Sequence, residues 1–144
     1  MSTARRIAFV SPRFAEGGTV GGAETLLKNL AERAAGAGRQ VTLLTTCATD
    51  HFTWQNVLPP GEKQHLPNMT VKFFPVKEER DLEAFLHVQN LICRGAPYTS
   101  ADEQTWLANS VTSPALCEHL AAEENRYDKI VIGPYLFGLT YFAS

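Results

Sequence analysis

Two short uncharged runs, Ile7–Ser11 and Val41–Thr46, stand on either side of one helix-length segment with an apolar stripe, and this succession constrains the fold more than any other feature of the chain. Each run is rich in apolar and β-branched residues, the pattern of a strand covered on both faces. Between them, from Ala23, apolar residues recur at Leu26, Leu27, Leu30, Ala31 and Ala34, and Gly36 and Gly38 supply a stop. This is the three-four spacing of one helical face with a glycine end signal. Glu24 and Lys28 fall four apart in the favourable order for a helical ion pair. Strand, helix, strand at this spacing is a βαβ unit with a right-handed crossover, so a parallel sheet is expected.

The rest of the chain extends that pattern. Cys47 to Asn68 carries Pro59-Pro60-Gly61 and Pro67 with little periodicity and is expected to be a long connection, pinned by Phe52 and Trp54. Met69–Val76 reads as a third strand, and Lys72 with Pro75 suggests an edge, where a missing donor costs little. Leu82, Phe85, Leu86, Ile92 and Cys93 outline a helix. Ser113-Pro114 is an N-cap followed by proline at the first helical position, with Leu116, Cys117, Leu120 and Ala121 as the apolar side. Tyr127-Asp128-Lys129 turns into a fourth strand, Ile130–Ile132. The 144 residues are expected to form one α/β domain, 1–144, with an open, mainly parallel Rossmann-like sheet in the order 3-2-1-4 and helices on both faces.

Thirteen basic against fifteen acidic residues leave a formal charge of -2, which disfavours nucleic acid as partner. Cys47, Cys93 and Cys117 are odd in number and lack any C-x-x-C pair, so no disulfide framework or zinc site is expected. Met1–Arg6 leads straight into a strand-like run instead of a signal-peptide core, and the reading is cytoplasmic. No residue from Ile130 through Ser144 is charged, while Tyr135, Leu136, Phe137, Leu139, Tyr141 and Phe142 crowd the end. Such a segment is expected to lie beneath further chain, as in a truncated domain, and to drive self-association through the fourth strand and tail when left uncovered.

Between the first strand and the helix lies Gly17-Gly18-Thr19-Val20-Gly21-Gly22-Ala23-Glu24. A glycine-rich loop entering a helix N-terminus collects backbone N–H groups and the positive end of the helix dipole, a mouth suited to phosphate. The glycines do not fall at G-x-G-x-x-G spacing, no acidic residue closes the second strand, and no Gly-Lys-Ser/Thr follows, so NAD binding and NTP hydrolysis are disfavoured. Arg13 and Tyr135 follow strand ends, where open sheets bind ligands. Glu24 either stabilises the helix dipole, the preferred reading, or orients a substrate hydroxyl. The histidines His51, His65, His87 and His119 lack metal-ligand spacing.

At these residues the chain resembles the N-terminal domain of the group 1, or family 4, retaining glycosyltransferases with the two-domain B fold. The likeness rests on Ser11-Pro12, the glycine loop and Gly21-Gly22-Ala23-Glu24, then Thr45-Thr46, Thr53–Asn56, Phe74-Pro75-Val76 and Tyr127-Asp128, in sequence order. The resemblance implies a hexosyltransferase-type enzyme moving a sugar from a nucleotide-sugar donor to an acceptor, with no metal and no cofactor beyond the donor as substrate. The donor would be held chiefly by a C-terminal domain absent from this chain. Gly21 and Gly22 would meet the donor diphosphate; Arg13, Glu24 and Tyr135 are acceptor-side candidates. The family's paired-glutamate motif and histidine-bearing segment are absent, so no catalytic residue is assigned and the 144-residue piece is expected to be inactive alone. Lipid-linked acceptors in the family leave peripheral membrane attachment open. The alternative is a free-standing α/β module that binds a nucleotide or a protein.

Overall fold

A computed structural model describes residues 3–14, 21–134 and 137–144. Strand β1 (Arg6–Val10) leads to helix α1 (Gly22–Gly36), then β2 (Gln40–Thr46), β3 (Gly61–Leu66) and β4 (Met69–Phe74). Helices α2 (Leu82–Cys93), α3 (Ser100–Asn109) and α4 (Pro114–Glu123) follow, then a 3-10 turn (Glu124–Arg126), β5 (Lys129–Ile132) and α5 (Gly138–Ala143). The strands form one sheet in the order β3-β4-β2-β1-β5. β4, β2, β1 and β5 are parallel, and β3 is antiparallel to β4.

The expected order 3-2-1-4 is therefore corrected by a strand inside what reads as a connection. β3 has the sequence Gly-Glu-Lys-Gln-His-Leu and its first four residues are exposed, so no buried face writes an apolar alternation into it. Its polar, lysine-bearing character suits an outer strand that must not recruit further partners. The expectation that Met69–Val76 forms the edge is corrected as well. β3 covers β4, and Lys72 lies opposite Glu62.

The two faces of the sheet bury separate cores. α1 places Leu27, Ala31 and Ala35 against Phe9, Val41, Leu43, Met69 and Val71. Opposite, Leu116 and Leu120 of α4 and Leu139 of α5 meet Ala8, Val10 and Leu44. Alternate residues of one strand thus serve both layers, which is why β1 and β2 read as continuous apolar runs. Gly38, at φ +82°, closes α1, and its amide donates to the Ala35 carbonyl. Ser113 caps α4, accepting from the Leu116 amide at 3.3 Å and donating to the Pro75 carbonyl at 2.8 Å. α2 and α3 pack on each other, with the rings of Phe85 and Trp106 stacked at 6.1 Å.

Candidate functional site

β1 sits between β2 and β5, and the crossovers that lead to these two neighbours lie on opposite faces of the sheet. The crossover through α1 covers one face, and the crossover ending in α4 covers the other. The carboxyl ends of β1 and β5 consequently flank the topological switch point, the crevice where open α/β sheets take ligands. Residues 11–14, after β1, and Gly21, before α1, lie there. Gly17, Gly18 and Tyr135 lie outside the described residues; Arg13, Gly21, Gly22 and Glu24 lie within them.

Arg13 and Glu24 meet each other. Arg13 Nε donates to Glu24 Oε1 at 2.8 Å and Nη2 donates to Oε2 at 2.5 Å, a two-pronged contact with side chains only 9% and 3% exposed. The fork of a guanidinium matches a carboxylate in this way, and the low local dielectric strengthens both bonds. Arg13 Nη1 also donates to the Thr49 carbonyl at 3.4 Å, and its guanidinium carbon stands 5.6 Å from the centre of the Trp54 ring. One cation therefore ties together the end of β1, the first turn of α1 and the segment after β2. Loop arginines are ordinarily solvated; this one is 8% exposed.

Glu24 has a further partner. Its Oε2 accepts from the Gly21 amide at 3.0 Å, so the residue caps its own helix. The Gly21 amide, one of the donors expected to meet a diphosphate, thus has an internal carboxylate as its partner. The geometry also explains the glycine. A Cβ at position 21 would stand 3.0 Å from Glu24 Oε2 and 3.5 Å from Arg13 Nη2, crowding the ion pair. A Cβ at Gly22 would meet nothing within 4 Å among the described residues, which leaves that backbone open to approach from them.

The neighbouring polar groups are also bonded inward. Thr46 Oγ1 donates to the Pro12 carbonyl at 2.6 Å and accepts from the Ala48 amide at 3.2 Å, holding the loop after β1 against the end of β2. Asn56 exchanges both its amide groups with Val76, at 3.0 and 2.8 Å, and so joins the long connection to the end of β4. Trp54 is 6% exposed, with φ +50° and its ring 5.4 Å from that of Phe137. It anchors the connection as expected, whereas Phe52, expected to do the same, is 78% exposed. The Thr45 hydroxyl is buried and has no hydrogen-bond partner among the described residues. Burial pushes the Cys47 thiol up, which keeps it protonated and inert.

Among the described residues no group of three or more His, Cys, Asp or Glu could hold a metal ion, and no helix is long and apolar enough to cross a membrane. His119 pairs with Tyr127, its Nε2 3.1 Å from the phenol oxygen, and His65 pairs with Glu32 at 2.8 Å. Reading the sequence misses the Arg13–Glu24 pair, although a first-turn acid beside a glycine pair and an arginine just past a strand were its available signal. Compared with models of known protein families and with curated proteins, the chain matches none.

Proposed function

We propose that the chain is the N-terminal, acceptor-side domain of a retaining glycosyltransferase of the two-domain B fold, acting with a C-terminal donor-binding domain in a longer protein. The observation that carries this reading is the position of the end of β1 and the start of α1 at the switch point of an open, mainly parallel sheet. In this reading the Arg13–Glu24 pair is a wedge that fixes the start of α1 against the carboxyl rim. The Gly22 backbone meets the donor diphosphate when the second domain closes, and amides at a helix start stabilise the charge of the departing group. Half-exposed Tyr141 and Phe142 on α5 support self-association of the piece through the tail.

The test is nucleoside-diphosphate release from a panel of nucleotide sugars, by these 144 residues and by the reading frame extended past Ser144. Release is expected only from the extended protein, and Gly22→Val should lower it on the order of a hundredfold, because the branched side chain keeps the diphosphate away from a preorganised backbone donor. An extension without a second α/β domain, or undiminished release by the variant, overturns the proposal. Glu24's hold on the Gly21 amide, which leaves one donor fewer for a departing diphosphate, favours a second reading, a free-standing α/β module that binds a nucleotide or a protein without transfer. An active extended enzyme would exclude it.

A further inference from the structure

A polar cleft of about 460 Å³ opens at the amino-terminal rim, away from the β1–α1 mouth. Of the β4-to-β5 crossover, α4 lies over β1 and β2, while α2 and α3 pack on each other. Beside α4, on the same face of the sheet, the cleft is lined by Thr42, Gln64, Thr70, Lys72, Arg126 and Tyr127 among others. The register brings these groups together: Thr42 lies opposite Thr70 on one side, and Gln64 opposite Thr70 on the other.

The neutral groups of the lining are held in place. Gln64 Nε2 donates to the Leu66 and Pro67 carbonyls at 2.5 and 3.2 Å, and its Oε1 accepts from the Thr70 hydroxyl at 3.3 Å. The Tyr127 hydroxyl lies 3.1 Å from His119 Nε2. Gln40 Nε2 donates to Asn68 Oδ1 at 3.4 Å, while Asn68 Nδ2 donates to the Ala35 carbonyl at 3.3 Å. Amides and hydroxyls that both donate and accept match the dual character of an alcohol group, and fixing them beforehand lowers the ordering cost of binding.

The charged groups are looser. Arg6, Lys72 and Arg126 line the cleft with Glu123, which stands 2.7 Å from Arg126 Nε. Lys72 has a long contact, 3.6 Å, to Glu62, whose side chain is 67% exposed. The lining thus holds three cations and one carboxylate, Glu123, since Glu62 lies outside it. Asp128, which accepts from the Arg6 amide, is outside the lining. The volume falls within the roughly 300–1,000 Å³ of small-molecule sites.

We infer that this cleft binds a hydroxyl-rich small molecule bearing one anionic group, of which a sugar phosphate is the simplest example. Gln64, Thr70 and Thr42 take its hydroxyls, and Lys72 and Arg126 take its anion. The inference is independent of the reading given to the β1–α1 mouth. It is tested by titrating the ¹⁵N-labelled 144-residue chain with glucose 6-phosphate, glucose and inorganic phosphate. Amide shifts should cluster at Thr42, Thr70, Lys72 and Tyr127, with glucose 6-phosphate binding at least about tenfold tighter than either smaller probe. Lys72→Gln should weaken it about tenfold through loss of a charge-assisted bond, and Thr70→Val should weaken it less. A thermal melt checks that both variants fold. No shifts at about 10 mM glucose 6-phosphate, shifts confined to α1, or equal binding of phosphate alone or glucose alone overturns the inference.

Discussion

The two rims of the sheet carry similar polar side chains and use them in opposite ways. At the carboxyl rim Arg13 and Glu24 are joined within the protein interior; at the amino rim Arg126 and Glu123 make a contact of similar length, 2.7 Å, with Arg126 72% exposed. Burial turns the first pair into a constraint, because removing either partner strands a charge where water cannot reach it. The second pair stays in high dielectric and can exchange its partner for another at little cost. An enclosed ion pair thus shapes the path of the chain, whereas an open one leaves its cation available.

The largest expected effect breaks the buried pair. Arg13→Met should cost about 3–5 kcal/mol in urea unfolding, while Arg13→Met combined with Glu24→Leu should recover most of that loss, since no charge is then stranded. Equal losses in the single and double variants would mean that the pair contributes packing alone. Next come two adjacent threonines of the same rim. Thr46→Val leaves the Pro12 carbonyl and the Ala48 amide without their partner and should cost about 1–3 kcal/mol, whereas Thr45→Val removes a hydroxyl with no partner among the described residues and should be neutral or stabilising.

A smaller effect sits beside the amino rim. Burial, and after it the charge of Lys72, holds the His119 imidazole below its usual value of 6.5. The unfolded chain therefore takes up this proton first, so the contribution of a neutral His119 is complete above about pH 6.5 and is lost as the pH falls through the window beneath it. The urea midpoint should drop between pH 7.5 and 5.5, and His119→Gln should make the drop shallower. The smallest effect is Arg126→Ala, within about 0.5 kcal/mol of the parent, which would set the exposed pair apart from Arg13–Glu24.

What could be read in advance follows the same division. β1, α1 and β2 were legible because burial on both faces writes itself into composition and spacing, and Ser113-Pro114 because capping is local chemistry. β3 was not legible, since a strand with its first four residues exposed needs no apolar pattern and gains its place from hydrogen bonds to β4. α3, whose apolar stripe is weak and which buries no residue fully, escaped for the same reason.

At the candidate site, the sequence by itself determined a glycine-rich entry to a helix at the end of a buried strand, with Arg13, Gly21, Gly22 and Glu24 nearby, because turn and helix-start chemistry depends on neighbours in the chain. Only the tertiary structure decided that Arg13 and Glu24 bind each other across eleven positions, that Glu24 takes the Gly21 amide, and that polar residues from β2, β3 and β4 converge on one cleft. Those facts depend on distances between segments remote in sequence. Packing sets such distances, and no local pattern of residues encodes them.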